Sequence, residues 1–232
     1  MKRFAYFLLL FFSFFLLNPS PATAKKRDKR PQVEFQTTMG TFRVALFNET
    51  PIHRDNFLKL VGEGFYDGLL FHRVIQDFMI QGGDPDSRTA APGQQLGDGD
   101  LGYTLAPEFQ TPYLYHWRGA LAAAREPDEV NPGRRSSACQ FYIVWGKTFG
   151  ANKIGAVRQR VEDMTDGEAT ITADMAQDYD VRGGTPHLDG QYTVFGEVVE
   201  GLSLIGKIQK VATDKNDRPL EDVRILSARI VK

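Results

Sequence analysis

Apolar residues alternate with polar ones over several short stretches of the chain, and this period of two is typical of half-buried β-strands. A turn at Met39-Gly40 separates the stretches 33–37 and 41–47, so the sequence predicts a hairpin there. The same pattern predicts further strands at residues 69–75, 78–81, 118–123, 140–145, 193–199 and 223–231.

Two segments with helical spacing accompany these strands. Pro51 opens the first helix, Thr50 is available as its cap, and Gly62 and Gly64 end it. The second helix is predicted over residues 202–211. Many short strands with two peripheral helices favour an antiparallel barrel or sandwich over a parallel sheet, and the pattern alone does not separate those two.

Residues 147–186 interrupt this series of predicted strands because they are polar and contain no strand pattern. Helix-like spacing occurs at residues 157–164 and 173–179. A stretch of this length without strands inside a compact domain indicates an insertion rather than a structureless loop. We therefore predict two short helices that pack outside the barrel.

Composition and charge exclude only a few classes of fold and function. The 232 residues suffice for one sizeable domain, and a net charge of −1 does not favour nucleic acid as a partner. Cys139 is the only cysteine, so no internal disulfide is predicted. The histidines and carboxylates form no motif with metal-ligand spacing, and neither a metal nor another cofactor is expected.

The N-terminus has the layout of a secretory signal peptide. Lys2 and Arg3 precede an apolar run over residues 4–17, and small residues at Ala22 and Ala24 suit a signal peptidase. The run is shorter than the roughly 20 residues that span a bilayer, so no integral membrane segment is expected after cleavage. The predicted organisation is a signal peptide (1–24), a basic tether (25–32) and a domain (33–232) exported to the periplasm.

The segment 71–84 carries the most specific motif of the chain. It reads FHRVIQDFMIQGGD and resembles the cyclophilin signature F-H-R-V-I-x-x-F-M-x-Q-G-G-D at every specified position. Segments 64–68, 118–125, 137–143 and 188–196 also resemble that family, whereas 147–186 has no counterpart in its smallest members. The resemblance implies a mainly β, closed eight-stranded antiparallel barrel capped by two helices. It also implies a cofactor-free peptidyl-prolyl cis-trans isomerase that assists the folding of exported, proline-containing polypeptides.

The same resemblance implies the site residues. Arg73 would stabilise the twisted amide, Gln81 would orient its guanidinium, and Phe78 would complete the catalytic set. Gln140 would bind the substrate backbone, and Arg125 would contact the residue before proline mainly through its main chain. The full set of substrate-binding residues implied in this way is Met79, Ala124, Arg125, Gln140, Phe141, Tyr142, His187, Leu188 and Tyr192.

Three positions in this set carry their own expectations. His187 stands where the family often has Trp, which predicts weak cyclosporin binding and a group that titrates near neutral pH. Tyr142 replaces a usual Phe, and its hydroxyl must find water or a partner. Because strand neighbours face opposite ways, the sequence places Phe141 in the pocket less firmly than Tyr142.

Two other functions compete with the isomerase. A non-catalytic module could bind proline-containing segments as a chaperone or assembly factor, but such a binder needs no positioned arginine. A ligand-carrying barrel would have a roomy apolar interior, whereas the large apolar residues on these strands favour a filled core. We expect the protein to be a monomer.

Overall fold

A computed structural model describes residues 29–231. The predicted signal peptide and residues 25–28 of the predicted tether lie outside the described residues. The ten strands within residues 29–231 are β1 (Gln32–Thr37), β2 (Gly40–Leu46), β3 (Arg73–Ile75), β4 (Met79–Gly82), β5 (Thr104–Leu105), β6 (Ala120–Ala123), β7 (Ser136–Ser137), β8 (Phe141–Val144), β9 (Val194–Glu200) and β10 (Ile225–Val231).

Eight of these strands form one antiparallel sheet in the order β10-β1-β2-β9-β6-β8-β4-β3, and β5 pairs separately with β7. The predicted hairpin around Gly40 is confirmed: Thr37 pairs with Gly40 where β1 turns into β2. The prediction of a mainly β protein with an eight-stranded antiparallel sheet is confirmed as well.

The sheet is curled into a half-barrel, and the predicted closure into a complete barrel is not shown. Its edge strands, β3 and β10, do not pair with each other, and the chain just before each strand meets at one bridge between Leu70 and Arg224. β3 begins only at Arg73, although strand was predicted from residue 69. Backbone hydrogen bonds from the Phe71 N–H to the Val223 carbonyl and from the Ile225 N–H to the Leu69 carbonyl join the chain at that bridge, but no ladder with β3 continues along β10.

Apolar side chains fill both faces of the sheet. In β8, Phe141 and Ile143 belong to the main core inside the curl, whereas Tyr142 and Val144 belong to a second cluster on the opposite face. The main core is rich in aromatic rings, among them Phe35, Phe42, Phe57, Tyr66, Phe71 and Phe141. The filled curl agrees with the expectation from the large apolar strand residues.

Four helices complete the described residues: α1 (Pro51–Gly62), α2 (Ala151–Met164), α3 (Ala173–Val181) and α4 (Leu202–Ile208). Helices α1 and α4 pack on the sheet and correspond to the two peripheral helices predicted from the sequence. Thr50 occupies the predicted N-cap position of α1, but its hydroxyl makes no capping hydrogen bond. The carboxylate of Glu108 accepts from the N–H groups of Ile52 and His53 instead, each at 3.0 Å.

Helices α2 and α3 lie in residues 147–186, where two helices were predicted. α2 begins at Ala151, earlier than the spacing indicated, and α3 is capped by the hydroxyl of Thr172. Together they form a small apolar cluster of their own, which includes Val161, Met175 and Tyr179. Within residues 29–231, no helix is both long and apolar enough to cross a membrane.

Candidate active site

The signature segment folds into the hairpin β3–β4 and aligns three polar side chains. Arg73 pairs with Gln81 across the hairpin, and Gln81 pairs with Tyr142 on β8. Directly opposed residues of an antiparallel pair point to the same face of a sheet. The spacing of eight between Arg73 and Gln81 therefore places both side chains in one row with Tyr142.

The turn of this hairpin presents Phe78 beside that row. Asp77 adopts a left-handed conformation with φ of 58°, and its N–H donates to Oε1 of Gln209 at 2.8 Å. Gln209 follows the last turn of α4, so this helix holds the turn in place.

A pocket of about 150 Å³ opens over the row of polar side chains. All nine residues that line it were implied by the family resemblance: Arg73, Phe78, Met79, Gln81, Ala124, Arg125, Tyr142, Leu188 and Tyr192. The fold thus brings together residues from β3, β4, β8 and the loops that follow β6 and precede β9.

Two neighbours hold the Arg73 guanidinium at the pocket. Nη1 donates to Oε1 of Gln81 at 3.3 Å, the contact that was predicted to orient it. Nε lies 3.7 Å from Oδ2 of Asp217, and both side chains of this pair are 43% exposed. No sequence pattern pointed to Asp217, because it lies in the loop after α4 and meets Arg73 only in the folded chain.

Gln140 supports Gln81 from behind. Nε2 of Gln81 donates to Oε1 of Gln140 at 3.0 Å, and Nε2 of Gln140 donates to the carbonyl oxygens of Gly97 and Gly99 at 2.7 and 2.8 Å. Gln140 is buried, does not line the pocket, and uses its carboxamide within the protein. Gln140 therefore lies behind the pocket lining, and its predicted contact with the substrate backbone stays a prediction.

Phe141 lies in the main core and not in the pocket, which corrects its assignment as a substrate-binding residue. Its ring is 1% exposed and packs edge-on against Phe57 and Tyr66 with centroid distances of 5.6 and 5.5 Å. The reason is strand alternation: on β8 the neighbour Tyr142 faces the pocket, so Phe141 must face the curl.

His187 also lies outside the pocket lining. Its ring stacks on Phe78 with centroids 5.7 Å apart and planes 23° apart, so it supports the pocket wall from behind. Burial, with a smaller contribution from His116, lowers the pKa of His187 to about 4. The ring is only partly exposed, and the loss of surrounding water disfavours its charged form, so we expect it to titrate below neutral pH rather than near it.

Arg125 and Tyr192 form the opposite rim of the pocket. The Arg125 guanidinium lies 4.4 Å from the centre of the Tyr192 ring, and its Nε donates to the carbonyl of Gln191 at 2.9 Å. An ion pair with Asp128 at 2.5 Å fixes the guanidinium further. The Arg125 guanidinium is thus engaged within the protein, and the contact of its main chain with the residue before proline stays a prediction.

Cys139 lies near the site, and a cysteine thiol is a side chain that can react. It is buried, and burial raises the pKa of its thiol to about 11, so the thiol stays protonated and unreactive at neutral pH. Among residues 29–231, no three side chains of His, Cys, Asp or Glu are grouped so that they could hold a metal ion.

Comparisons with known proteins agree with the resemblance carried by segment 71–84. The family model of the cyclophilin type peptidyl-prolyl cis-trans isomerase/CLD matches residues 32–230. A bifunctional phosphatase/peptidyl-prolyl cis-trans isomerase of Streptococcus pyogenes is 38% identical over 198 residues, which cover 84% of this chain but only 37% of that protein. Peptidyl-prolyl cis-trans isomerase-like 1 of Neurospora crassa is 32% identical over 201 residues, covering 86% of this chain and 94% of that protein.

The fold has a solved counterpart as well. The crystal structure of a cyclophilin type peptidyl-prolyl cis-trans isomerase of Cryptosporidium parvum superimposes with a TM-score of 0.61 and 23% sequence identity, covering 87% of this chain and 98% of that chain. The family match spans nearly all of the described residues and includes each residue that lines the pocket. The chain belongs to the family of cyclophilin-type peptidyl-prolyl cis-trans isomerases.

Proposed function

We propose that Arg73 is the catalytic residue of this isomerase and donates a hydrogen bond to the prolyl nitrogen in the twisted state of the Xaa-Pro bond. Rotation about this bond meets a barrier of about 18–20 kcal/mol because amide resonance gives the C–N bond partial double-bond character. Resonance is lost in the twisted state and the nitrogen regains a lone pair. A fixed donor therefore stabilises the twisted state more than the planar one.

A proline ring would occupy the apolar part of the pocket. Phe78, Met79 and Leu188 offer carbon surface there, and the Arg73 guanidinium lies at the border of the same cavity of about 150 Å³. This joint placement of a cation and an apolar wall is the observation that carries the proposal. Holding the ring fixes the bond to be rotated, while the guanidinium is positioned through Gln81 and Gln140.

The substrates are proline-containing polypeptides under this proposal. The Cryptosporidium parvum isomerase was also solved in the presence of the dipeptide Ala-Pro, and that structure matches with a TM-score of 0.58 and 23% identity. A small Ala-Pro unit is of a size that suits a pocket of this volume. The proposal assigns one prolyl ring with its preceding residue to the described cavity.

Sub-stoichiometric catalysis separates this function from that of a non-catalytic binder. We expect the purified protein, at a small fraction of the substrate concentration, to accelerate the refolding phase of a test protein that is limited by Xaa-Pro isomerisation. Uncatalysed isomerisation takes tens to hundreds of seconds, which makes the acceleration easy to follow by fluorescence. Binding without acceleration, or an effect only at equal concentrations, would support the chaperone or assembly module instead.

We further propose that the protein is exported and assists the folding of exported proteins. The basic start, the apolar run of residues 4–17 and the Ala22-Thr23-Ala24 segment support this proposal. In its host we expect the protein in the periplasmic fraction with Lys25 as its first residue, as determined by N-terminal sequencing. An intact N-terminus in the cytoplasmic fraction would contradict export.

A further inference from the structure

The hydroxyl of Tyr142 points away from the pocket that its ring lines. Tyr142 is 5% exposed, and its hydroxyl lies 2.9 Å from Nε2 of His116. Burial raises the pKa of the Tyr142 phenol well above its usual value, so the group stays protonated and can donate. The added oxygen, which the sequence required to find a partner, therefore binds a histidine behind the pocket.

His116 is itself held by a buried carboxylate. Its Nδ1 lies 2.8 Å from Oδ1 of Asp189, and the same oxygen accepts from the His116 backbone N–H at 2.8 Å. Because an ionised carboxylate only accepts, Nδ1 carries the ring proton and Nε2 is left to accept from Tyr142. For a neutral His116 ring, the hydrogen-bond pattern therefore has Tyr142 donating to Nε2 and Nδ1 donating to Asp189.

The second oxygen of Asp189 connects this chain of hydrogen bonds to helix α3. Oδ2 accepts from the hydroxyl of Tyr179 at 2.7 Å, and Tyr179 is fully buried in the apolar cluster of α2 and α3. An unbroken series of buried hydrogen bonds therefore runs from Tyr179 through Asp189 and His116 to the pocket wall at Tyr142. Buried networks of this kind favour one arrangement of their members, because each broken bond leaves a polar group without a partner.

We propose that Tyr179 is a positioning residue for the substrate pocket, and that residues 147–186 are a working part of the site through it. Asp189 and His116 transmit the position of α3 to the Tyr142 ring. This inference rests on the proposed function, since it assumes that the proline ring contacts Tyr142. The Arg73 guanidinium is held by Gln81 and Asp217 and makes no bond within the Tyr179 series, so that series is expected to act on substrate binding through the Tyr142 ring.

A matched pair of variants, each of which removes one hydroxyl bonded at α3, tests the positioning role. Tyr179→Phe removes the hydroxyl that donates to Asp189 and accepts from the His116 backbone N–H at 3.1 Å. Tyr115→Phe removes a hydroxyl that bonds Asp178 of the same helix at 2.9 Å, outside the series that ends at Tyr142. We expect Tyr179→Phe to weaken binding of a short Ala-Pro peptide about 2- to 30-fold, the range of mutations along coupled networks, and Tyr115→Phe to leave it unchanged. Peptide titrations followed by NMR measure both dissociation constants.

A double-mutant cycle and a spectroscopic signature complete the test. In a Tyr142→Phe background, the Tyr179→Phe substitution should have no further effect on peptide binding, because the link to the pocket is already cut. The ¹⁵N spectrum of the full-length chain should show His116 protonated at Nδ1 and unprotonated at Nε2. A protonated Nε2, additive effects in the cycle, or equal losses from Tyr115→Phe and Tyr179→Phe would overturn the inference.

The same measurements distinguish failure of this inference from failure of the proposed function. If the wild type bound the peptide without a shift of any Tyr142 resonance, the proline ring would not contact Tyr142. The inference would then fail with that assumption. Binding that shifts Tyr142 but is insensitive to Tyr179→Phe would leave the proposed function intact and refute only the role of α3.

Discussion

Arg73→Ala is expected to lower kcat/KM about 10²- to 10³-fold, the usual loss when one donor to a transition state is removed. This corresponds to about 2.7–4 kcal/mol of transition-state stabilisation. The side chain is 43% exposed and its ion pair with Asp217 spans 3.7 Å, so its loss should cost the fold little. Peptide isomerisation kinetics measure the first effect, and urea unfolding of the same variant measures the second.

Arg73→Lys is the matched control because it retains the positive charge. A lysine has no planar fork with which to bind Gln81 and the substrate together, so we expect it to recover only a small part of the lost activity. If Arg73→Ala isomerised prolyl peptides as fast as the wild type, the proposed mechanism would be wrong. If Arg73→Lys were fully active, charge alone would suffice and the contact with Gln81 would be dispensable.

Phe141→Ala is expected to lower the free energy of unfolding by about 3–5 kcal/mol, the range for removal of a buried aromatic ring. The ring is fully enclosed, with Phe35, Phe57, Tyr66 and Phe71 around it. The loss combines the transfer free energy of the ring with the cavity that it would leave. Urea denaturation of the variant and the wild type gives the difference directly.

Phe141→Leu separates a core residue from a substrate-binding one. Leucine retains most of the apolar volume, so the protein should fold and keep a kcat/KM close to that of the wild type. A stably folded Phe141→Leu protein with a large loss of peptide binding would return Phe141 to the pocket. Tyr142→Phe provides the comparison on the same strand, because its ring faces the pocket and its hydroxyl binds His116.

Much of the site follows from local sequence because its central part is one hairpin. Arg73 and Gln81 are close in the chain, and a tight turn between two alternating strands places them opposite each other. The helices of residues 147–186 could also be predicted from the sequence, since helical spacing is a local property. The resemblance of segment 71–84 to the cyclophilins added the roles of these residues, which spacing alone does not provide.

Other features depended on which face of a strand is buried. The period of two along the sequence does not decide this. Alternation required Phe141 and Tyr142 to face opposite sides, but only the curl of the sheet showed which side was the core. The pKa of His187 likewise follows from the packing around its ring rather than from its residue type. Closure of the barrel would also require pairing between segments far apart in the chain, and the edge strands β3 and β10 do not pair.

The sequence by itself determined the strand pattern and the two helices of residues 147–186, and the resemblance of segment 71–84 implied most of the residues at the pocket. Only the tertiary structure placed Asp217 beside Arg73 and connected Tyr179 to Tyr142 through Asp189 and His116. The physical reason is separation along the chain. Local periodicity decides which way a side chain faces within its own element, whereas contacts between distant elements are decided by how those elements pack.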